Sequence, residues 1–437
     1  MSNKYYILTF GCQMNENDSE HIAGILTQKG YERTDNVREA SVCVVNTCSI
    51  RENADDKFFG NLGDLKGVKR DNPDLILCVC GCMMQQKIYV DRIKEKFPYV
   101  DIIFGTHNIA DFGNILDEFI EKKKKIVRVP DSSPVTENVP LRREYRHRAY
   151  VSITYGCDNF CTYCIVPYTR GREKSREAVN ILSEVECLAR DGVKEIMLLG
   201  QNVNSYGKGL TEPCSFAELL RMVSKVEGIE RIRFMTSHPR DFTDDIIEAM
   251  ASSDKICKSV HLPFQAGSDR ILKLMNRHYD RAYYLGLVKK LRERIPGITI
   301  STDIIVGFPT ETEEDFEDTL DIVRQCRFES AFTFIYSPRE GTKAAVMDGQ
   351  IDHETSVRRF KRLVSTLEEE ISEGVKIYQD TVQEVIVDGH SKSDAGTLTG
   401  RTRSNKLVNF TGTAETGDTV NVKITKPNTY YLFGEQI

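Results

Sequence analysis

Short apolar runs alternate with stretches of helical period through the first 118 residues. The runs "YYILTFGC", "ASVCVVNTC", "DLILCVCGC" and "VDIIFGT" have the β-branched, nearly continuous apolar character of strands covered on both faces. After the first run, "NDSEHIAGILTQKG" sets Ile22, Ile25 and Leu26 on one side, with Asp18 or Ser19 placed to cap the helix and Gly30 to stop it. This alternation predicts an open parallel α/β domain over 1–118. The pattern then breaks in "EKKKKIVRVPDSSPVTENVPLRREYRHR", whose charge run, three prolines and missing period predict a linker over 119–148. Lys122 to Lys125 read as a solvated helix end.

From Tyr150 the strand-like runs return, each before a longer helical segment: "AYVSITYGC", "EIMLLGQNV", "RIRFMTSHP", "SVHLPFQAG", "TISTDIIVGFP" and "ESAFTFIYSP". Six such units over 149–372 predict a partial (β/α)6 barrel, because a closed eight-stranded barrel takes about 250 residues. The aromatics Phe332, Phe334 and Tyr336 read as barrel packing, with a base-lining pocket as the alternative, and His238 and His261 stand near strand ends. Beyond residue 375 short strands and Gly-centred turns, such as "AGTLTGRTRSNKLVNFTG", predict a small antiparallel β-barrel over 375–437. The fold class is α/β with this β-module appended.

Composition narrows the chemistry. The opening "MSNKYYILTFGC" predicts neither a leader nor a membrane span, and the balance of 40% hydrophobic and 28% charged residues fits a cytoplasmic globular chain. Thirteen cysteines, an odd number in clusters, favour metal ligation over a disulfide framework. A net charge of −6 excludes non-specific coating of nucleic acid but permits local basic surfaces.

Cys157, Cys161 and Cys164 form CxxxCxxC directly after a strand. Three thiolates on one tight loop suit a soft metal, and the lack of a fourth Cys or His nearby argues against a closed zinc site. A 4Fe-4S cluster held by three cysteines keeps one iron free for another ligand. Cys12, Cys48 and Cys82 each follow a predicted parallel strand, and strand carboxyl ends in an open α/β sheet share one crevice. Their convergence there predicts a second cluster. Cys43, Cys78 and Cys80 lie within strands and read as buried apolar residues, and Cys187, Cys214, Cys257 and Cys326 as structural.

With Tyr163 before its last cysteine, the CxxxCxxC loop resembles the signature of the radical S-adenosylmethionine superfamily. Across nearly the whole chain, the two cysteine sets, the barrel and the terminal β-module resemble the methylthiotransferase family within it. The segments "TFGCQMNENDSE", "NTCSIRENA", "GCMMQQ", "YGCDNFCTYCIVPYTRGREKSR" and "MTSHP" resemble its branch acting on isopentenylated adenosine in tRNA. Gln13 and Met14 stand where relatives acting on a ribosomal protein aspartate more usually carry Pro-Lys, and those acting on threonylcarbamoyl adenosine Lys-Val. Both substrates remain alternatives, as does an iron-sulfur RNA-binding or redox-sensing protein without turnover.

The resemblance implies two 4Fe-4S clusters, on the Cys12 and Cys157 sets. It also implies two molecules of S-adenosylmethionine per product, one as methyl donor and one as radical source. Tyr163, Gly200, Gln201, Gln265, Ser301 and Asp303 are the expected cofactor contacts. It implies a TRAM-like tail for RNA binding, where Arg401, Arg403, Lys406 and Phe410 could track phosphate and stack on bases. The expected partners are a tRNA anticodon stem-loop carrying isopentenyladenosine at position 37 and an electron donor such as flavodoxin.

Overall fold

The computed structural model describes residues 3–49, 52–132, 135–391, 394 and 396–437. The N-terminal unit is a six-stranded sheet, all of whose pairings are parallel. In spatial order its strands are Glu32–Arg33, Lys4–Thr9, Val42–Thr47, Ile76–Gly81, Ile102–Phe104 and Ile126–Arg128. The last of these falls inside 119–148, so the sheet runs past residue 118 into the stretch read as linker. Three residues, "IVR", are too short to show a strand period, and pairing with Ile102–Phe104 holds them. The sheet carries a separate apolar cluster on each face, with Cys78 and Cys80 in one and Cys43 in the other.

The first helix, Gln13–Gln28, starts immediately after Cys12, which occupies its N-cap. Asp18 and Ser19 therefore lie inside the helix and do not cap it. Ile22, Ile25 and Leu26 are buried against the sheet as expected, but so are the polar residues Asn15, Asn17, Asp18 and Glu20. That second buried face points at the barrel.

Six parallel strands form the partial barrel. One half is Arg148–Ser152, Glu195–Leu199 and Arg231–Phe234, and the other is Ser259–His261, Thr299–Val306 and Ser330–Ile335. The halves meet through a parallel bridge between Ile232 and Ile256. Ile232 and Phe234 point into the main apolar cluster under the helices, while the alternate residues Arg231 and Arg233 are also buried, on the other face of the strand. The edge strand Arg148–Ser152 is covered by the first helix: Ser152 donates to Asn17 Oδ1 at 2.8 Å and the Tyr150 hydroxyl donates to Glu16 at 2.5 Å.

The tail is a closed five-stranded barrel of Val382–His390, Leu398–Thr402, Leu407–Thr411, Thr419–Pro427 and Leu432–Gln436. It is not wholly antiparallel, since Leu407–Thr411 pairs in parallel with Leu432–Gln436. It closes the end of the large barrel where strands begin. Buried Arg231 donates to the Arg401 carbonyl at 2.8 Å and to Glu384, and Arg233 donates to the Thr402 and Arg403 carbonyls at 2.7 and 3.0 Å.

Candidate active site: two cysteine sets at one domain boundary

The loop set sits at the opposite, carboxyl end of the barrel. Gly156 makes its turn possible: φ is +69°, and a Cβ there would stand 2.3 Å from the Arg172 carbonyl oxygen. The Cys157 amide donates to the Gly171 carbonyl at 3.1 Å and the Cys164 amide to the Cys161 carbonyl at 2.9 Å. Arg277, almost fully buried, donates to Cys161 Sγ and the Tyr163 hydroxyl, both at 3.5 Å, and to the Pro263 carbonyl at 2.9 Å. One guanidinium thus ties the cluster loop to the strand end that precedes Gln265.

The second set is assembled by the sheet. Gly81, at φ +96°, lets the chain pass so close to its neighbour that a Cβ would meet the Thr47 carbonyl oxygen at 2.3 Å. The Asn15 amide nitrogen donates to the carbonyls of Phe10, at 2.8 Å, and Thr47, at 2.7 Å, while its oxygen lies 3.7 Å from Cys82 Sγ. One side chain therefore joins the ends of three strands. Asn15 lay within a quoted motif, yet nothing in helical periodicity marks a polar residue in a first turn as a staple. The neighbouring Ile50 and Arg51 lie outside the described residues.

Arg170 is the other residue the sequence did not single out. It lies six residues beyond Cys164 and reaches across the boundary to Cys82 Sγ at 3.0 Å. The same guanidinium donates to Asn15 Oδ1 at 2.8 Å and Asp18 Oδ2 at 2.7 Å.

Burial pushes the thiols of Cys82 and Cys164 up to about 12 and that of Cys157 to about 11. Such thiols are poor nucleophiles, because their thiolates need a compensating cation. Metal ligation supplies one, and three thiols per set is the donor chemistry of a 4Fe-4S cluster. Among the described residues no three Cys, His, Asp or Glu side chains surround a point that could hold a single ion. A cubane takes each thiolate on a different iron and does not ask for that arrangement.

The other expected residues divide. Gly200 is buried against Thr154, where a Cβ would come within 2.1 Å of the hydroxyl, and Gln201 is half-buried beside it. Gln265 has φ +67° and continues the strand pairing, its amide donating to the Asp303 carbonyl at 3.0 Å. Ser301 and Asp303 flank His261, at 3.0 Å from Nδ1 and 3.3 Å from Nε2. His238 is buried in a loop, its imidazole held well below the ordinary range first by burial and then by Arg277.

A cavity of about 710 Å³ extends from the strand-start half of the barrel interior to the N-terminal helix and the tail, reaching Tyr150, Arg233, Ser301, Arg401 and Tyr430. Phe332, read as packing, is 48% exposed and lines it.

Of the four RNA-contact expectations, Phe410 and Lys406 are corrected by their burial, and Arg401 and Arg403 are held by contacts within the chain. Phe410 is fully buried in the core of the tail, on the inward side of an alternating strand. Lys406 is buried and paired with Glu329 of the large barrel at 2.6 Å. Arg403 pairs with Glu384 at 2.8 Å and donates to the Asp254 carbonyl at 2.6 Å. Arg401 is held over the cavity, where burial lowers its guanidinium below the usual range. This hairpin is the docking element of the tail, because buried Arg231 and Arg233 require its carbonyls as acceptors.

Comparisons with known proteins agree with this anatomy. Residues 4–105 match the family described as Uncharacterized protein family UPF0004, 151–323 the Radical SAM superfamily and 376–437 the TRAM domain. A tRNA-2-methylthio-N(6)-dimethylallyladenosine synthase of Clostridium botulinum is 53% identical over 436 residues, 99% of this chain and 97% of that protein. The chain belongs to the tRNA-2-methylthio-N(6)-dimethylallyladenosine synthase family. Synthases of Alkaliphilus oremlandii and Clostridium perfringens are also 53% identical, over 99% of this chain and 93% and 97% of theirs. A radical S-adenosylmethionine methyltransferase from Kitasatospora setae shares the fold at a TM-score of 0.57 and 14% identity, covering 88% of this chain and 78% of its own. As a member of this synthase family with a radical S-adenosylmethionine domain, the protein is an enzyme using S-adenosylmethionine and a 4Fe-4S cluster. Among the described residues no helix is long and apolar enough to cross a membrane.

Proposed function

We propose that this enzyme inserts sulfur and a methyl group at carbon 2 of isopentenyladenosine beside the anticodon of tRNA. The observation that carries the reading is end-to-end identity of 53% with synthases named for that product. The two cysteine sets at one boundary support it, since carbon 2 of adenosine is unactivated and must lose its hydrogen to a radical while sulfur is delivered from elsewhere.

Cys157, Cys161 and Cys164 would hold the cluster that, with S-adenosylmethionine, supplies the carbon radical; Cys12, Cys48 and Cys82 would hold a second cluster, with sulfur. Two molecules of S-adenosylmethionine are used per product, and a one-electron donor of the flavodoxin class serves the reduction in the cytoplasm. Gly200 presents bare backbone at a strand end, and Tyr163, Gln201, Gln265, Ser301 and Asp303 complete the proposed cofactor contacts. The chain itself positions and shields. Arg277 holds the cluster loop, the first helix seals the barrel edge, and Tyr150, Phe332 and Tyr430 line a path along which a base would pass toward the strand carboxyl ends. With the tail closing one barrel end, the base would enter laterally, between the first helix and the tail.

The test is mass analysis of tRNA nucleosides from a deletion strain. Loss of the 2-methylthio group with accumulation of isopentenyladenosine, reversed by the wild-type chain and by neither triple-cysteine variant, is expected. An unchanged nucleoside profile would refute the assignment.

A further inference from the structure

The chain segment Arg170–Gly171 touches both cysteine sets. The Gly171 carbonyl accepts from the Cys157 amide at 3.1 Å, while the Arg170 side chain leaves the barrel and donates its Nε proton to Cys82 Sγ at 3.0 Å. The guanidinium is 6% exposed and Asp18, its ion-pair partner, 7%. A buried arginine whose fork ends on a carboxylate, an amide oxygen and a cysteine sulfur has one orientation, because any other would leave a charge without a partner.

We propose that Arg170 is a positioning residue of the Cys12, Cys48 and Cys82 set: it fixes Cys82 relative to the barrel and places positive charge on its sulfur. The inference rests on the reading that this set holds a cluster. Two consequences follow from general electrostatics. A donor on a cysteine sulfur favours the more negative, reduced state of a cluster, so removing it makes the cluster harder to reduce. The same contact locks Asn15 and Asp18, and through Asn15 the three strand ends, to the loop bearing the other cysteines.

The experiment uses the full chain with Cys157, Cys161 and Cys164 replaced by Ala, so that iron bound there reports on the other set alone. After reconstitution, Arg170→Gln should retain iron but show a more negative midpoint in an EPR-monitored redox titration, and Arg170→Lys should recover part of the shift. A merely structural role would move iron content and leave the midpoint of the bound fraction unchanged; that result overturns the positioning role. Absence of iron in the parent triple variant would instead overturn the second-cluster reading. A metal-free arm keeps the two failures apart. In the otherwise wild-type chain, Arg170→Gln should speed hydrogen exchange across residues 12–20 while leaving the strands of the C-terminal barrel unchanged. Unchanged exchange there would refute the cross-boundary lock.

Discussion

Cys157, Cys161 and Cys164 lie within eight residues on one loop, whereas Cys12, Cys48 and Cys82 are separated by 36 and 34 residues and meet only when three strands pair. The loop set has its arginine, Arg277, from the same domain; the strand-end set takes Arg170 from the loop of the other. Both sites can present three thiolates, but one is written into local chain geometry and the other into tertiary structure. The first is complete within the barrel. The second needs the sheet, an asparagine staple and a neighbouring domain.

The largest test of this contrast is complete removal of each set. Replacing Cys157, Cys161 and Cys164 by Ala should abolish 5′-deoxyadenosine formation. Replacing Cys12, Cys48 and Cys82 should leave that reaction and eliminate methylthiolated tRNA. Of roughly eight irons in the reconstituted wild type, about four should remain in either variant. Iron analysis with product mass spectrometry decides the matter, and loss of all iron from both variants would mean a single shared site.

Next in size is deletion of residues 375–437. Arg231 would lose Glu384 and the Arg401 carbonyl and Arg233 two carbonyls, exchanging them for water while Glu195 stays within 3.0 Å of Arg233. We expect a cost of about 1.5–3 kcal/mol to the barrel, the scale of lost hydrogen bonds to charged groups, measured by denaturant unfolding. A deletion that weakens tRNA binding without lowering stability would contradict this role for the hairpin.

Single glycine variants sharpen the contrast further. Gly81→Ala forces a side chain against the Thr47 carbonyl and should cost about 1–3 kcal/mol, with iron lost chiefly from the strand-end set. Gly156→Ala should do the reverse. Equal loss from both sets in either variant would show that the sites are not separately built.

The remaining effect is pH-dependent. Burial raises the Glu20 carboxyl from 4.5 to about 7. The folded chain then binds this proton more tightly than the unfolded one, so the contribution of Glu20 to stability is greatest below about 4.5 and declines as pH rises toward 7. Glu20→Gln should flatten melting temperature against pH across that window, with the variant gaining relative to wild type at the alkaline end. An unaltered slope would place the titration elsewhere.

The parallel N-terminal sheet, the six barrel strands and the Cys157 loop were legible from short-range pattern, and the meeting of Cys12, Cys48 and Cys82 from the common direction of parallel strands. Asn15 and Arg170 were not, and Asp18 was read only as a cap, because polar residues on a helix or turn resemble a solvated face until another domain covers them. Lys406 was misread for the same reason, since a basic hairpin looks alike whether its lysine meets phosphate or Glu329. Phe410 did carry a signal. It alternates with Val408 in "LVNFT", and that period alone placed it inside.

The manner in which the tail is docked bears on how the chain can diverge. Arg231 and Arg233 end on the main-chain oxygens of Arg401, Thr402 and Arg403. Every residue type offers such an oxygen, so substitution of the side chains leaves those bonds intact, whereas the pairs Arg403–Glu384 and Lys406–Glu329 need their own side chains. What cannot drift is its bend. Insertions or deletions between residues 401 and 406 should therefore be far less tolerated than substitutions, and a chimera with a foreign tail should succeed or fail on loop length rather than on sequence similarity.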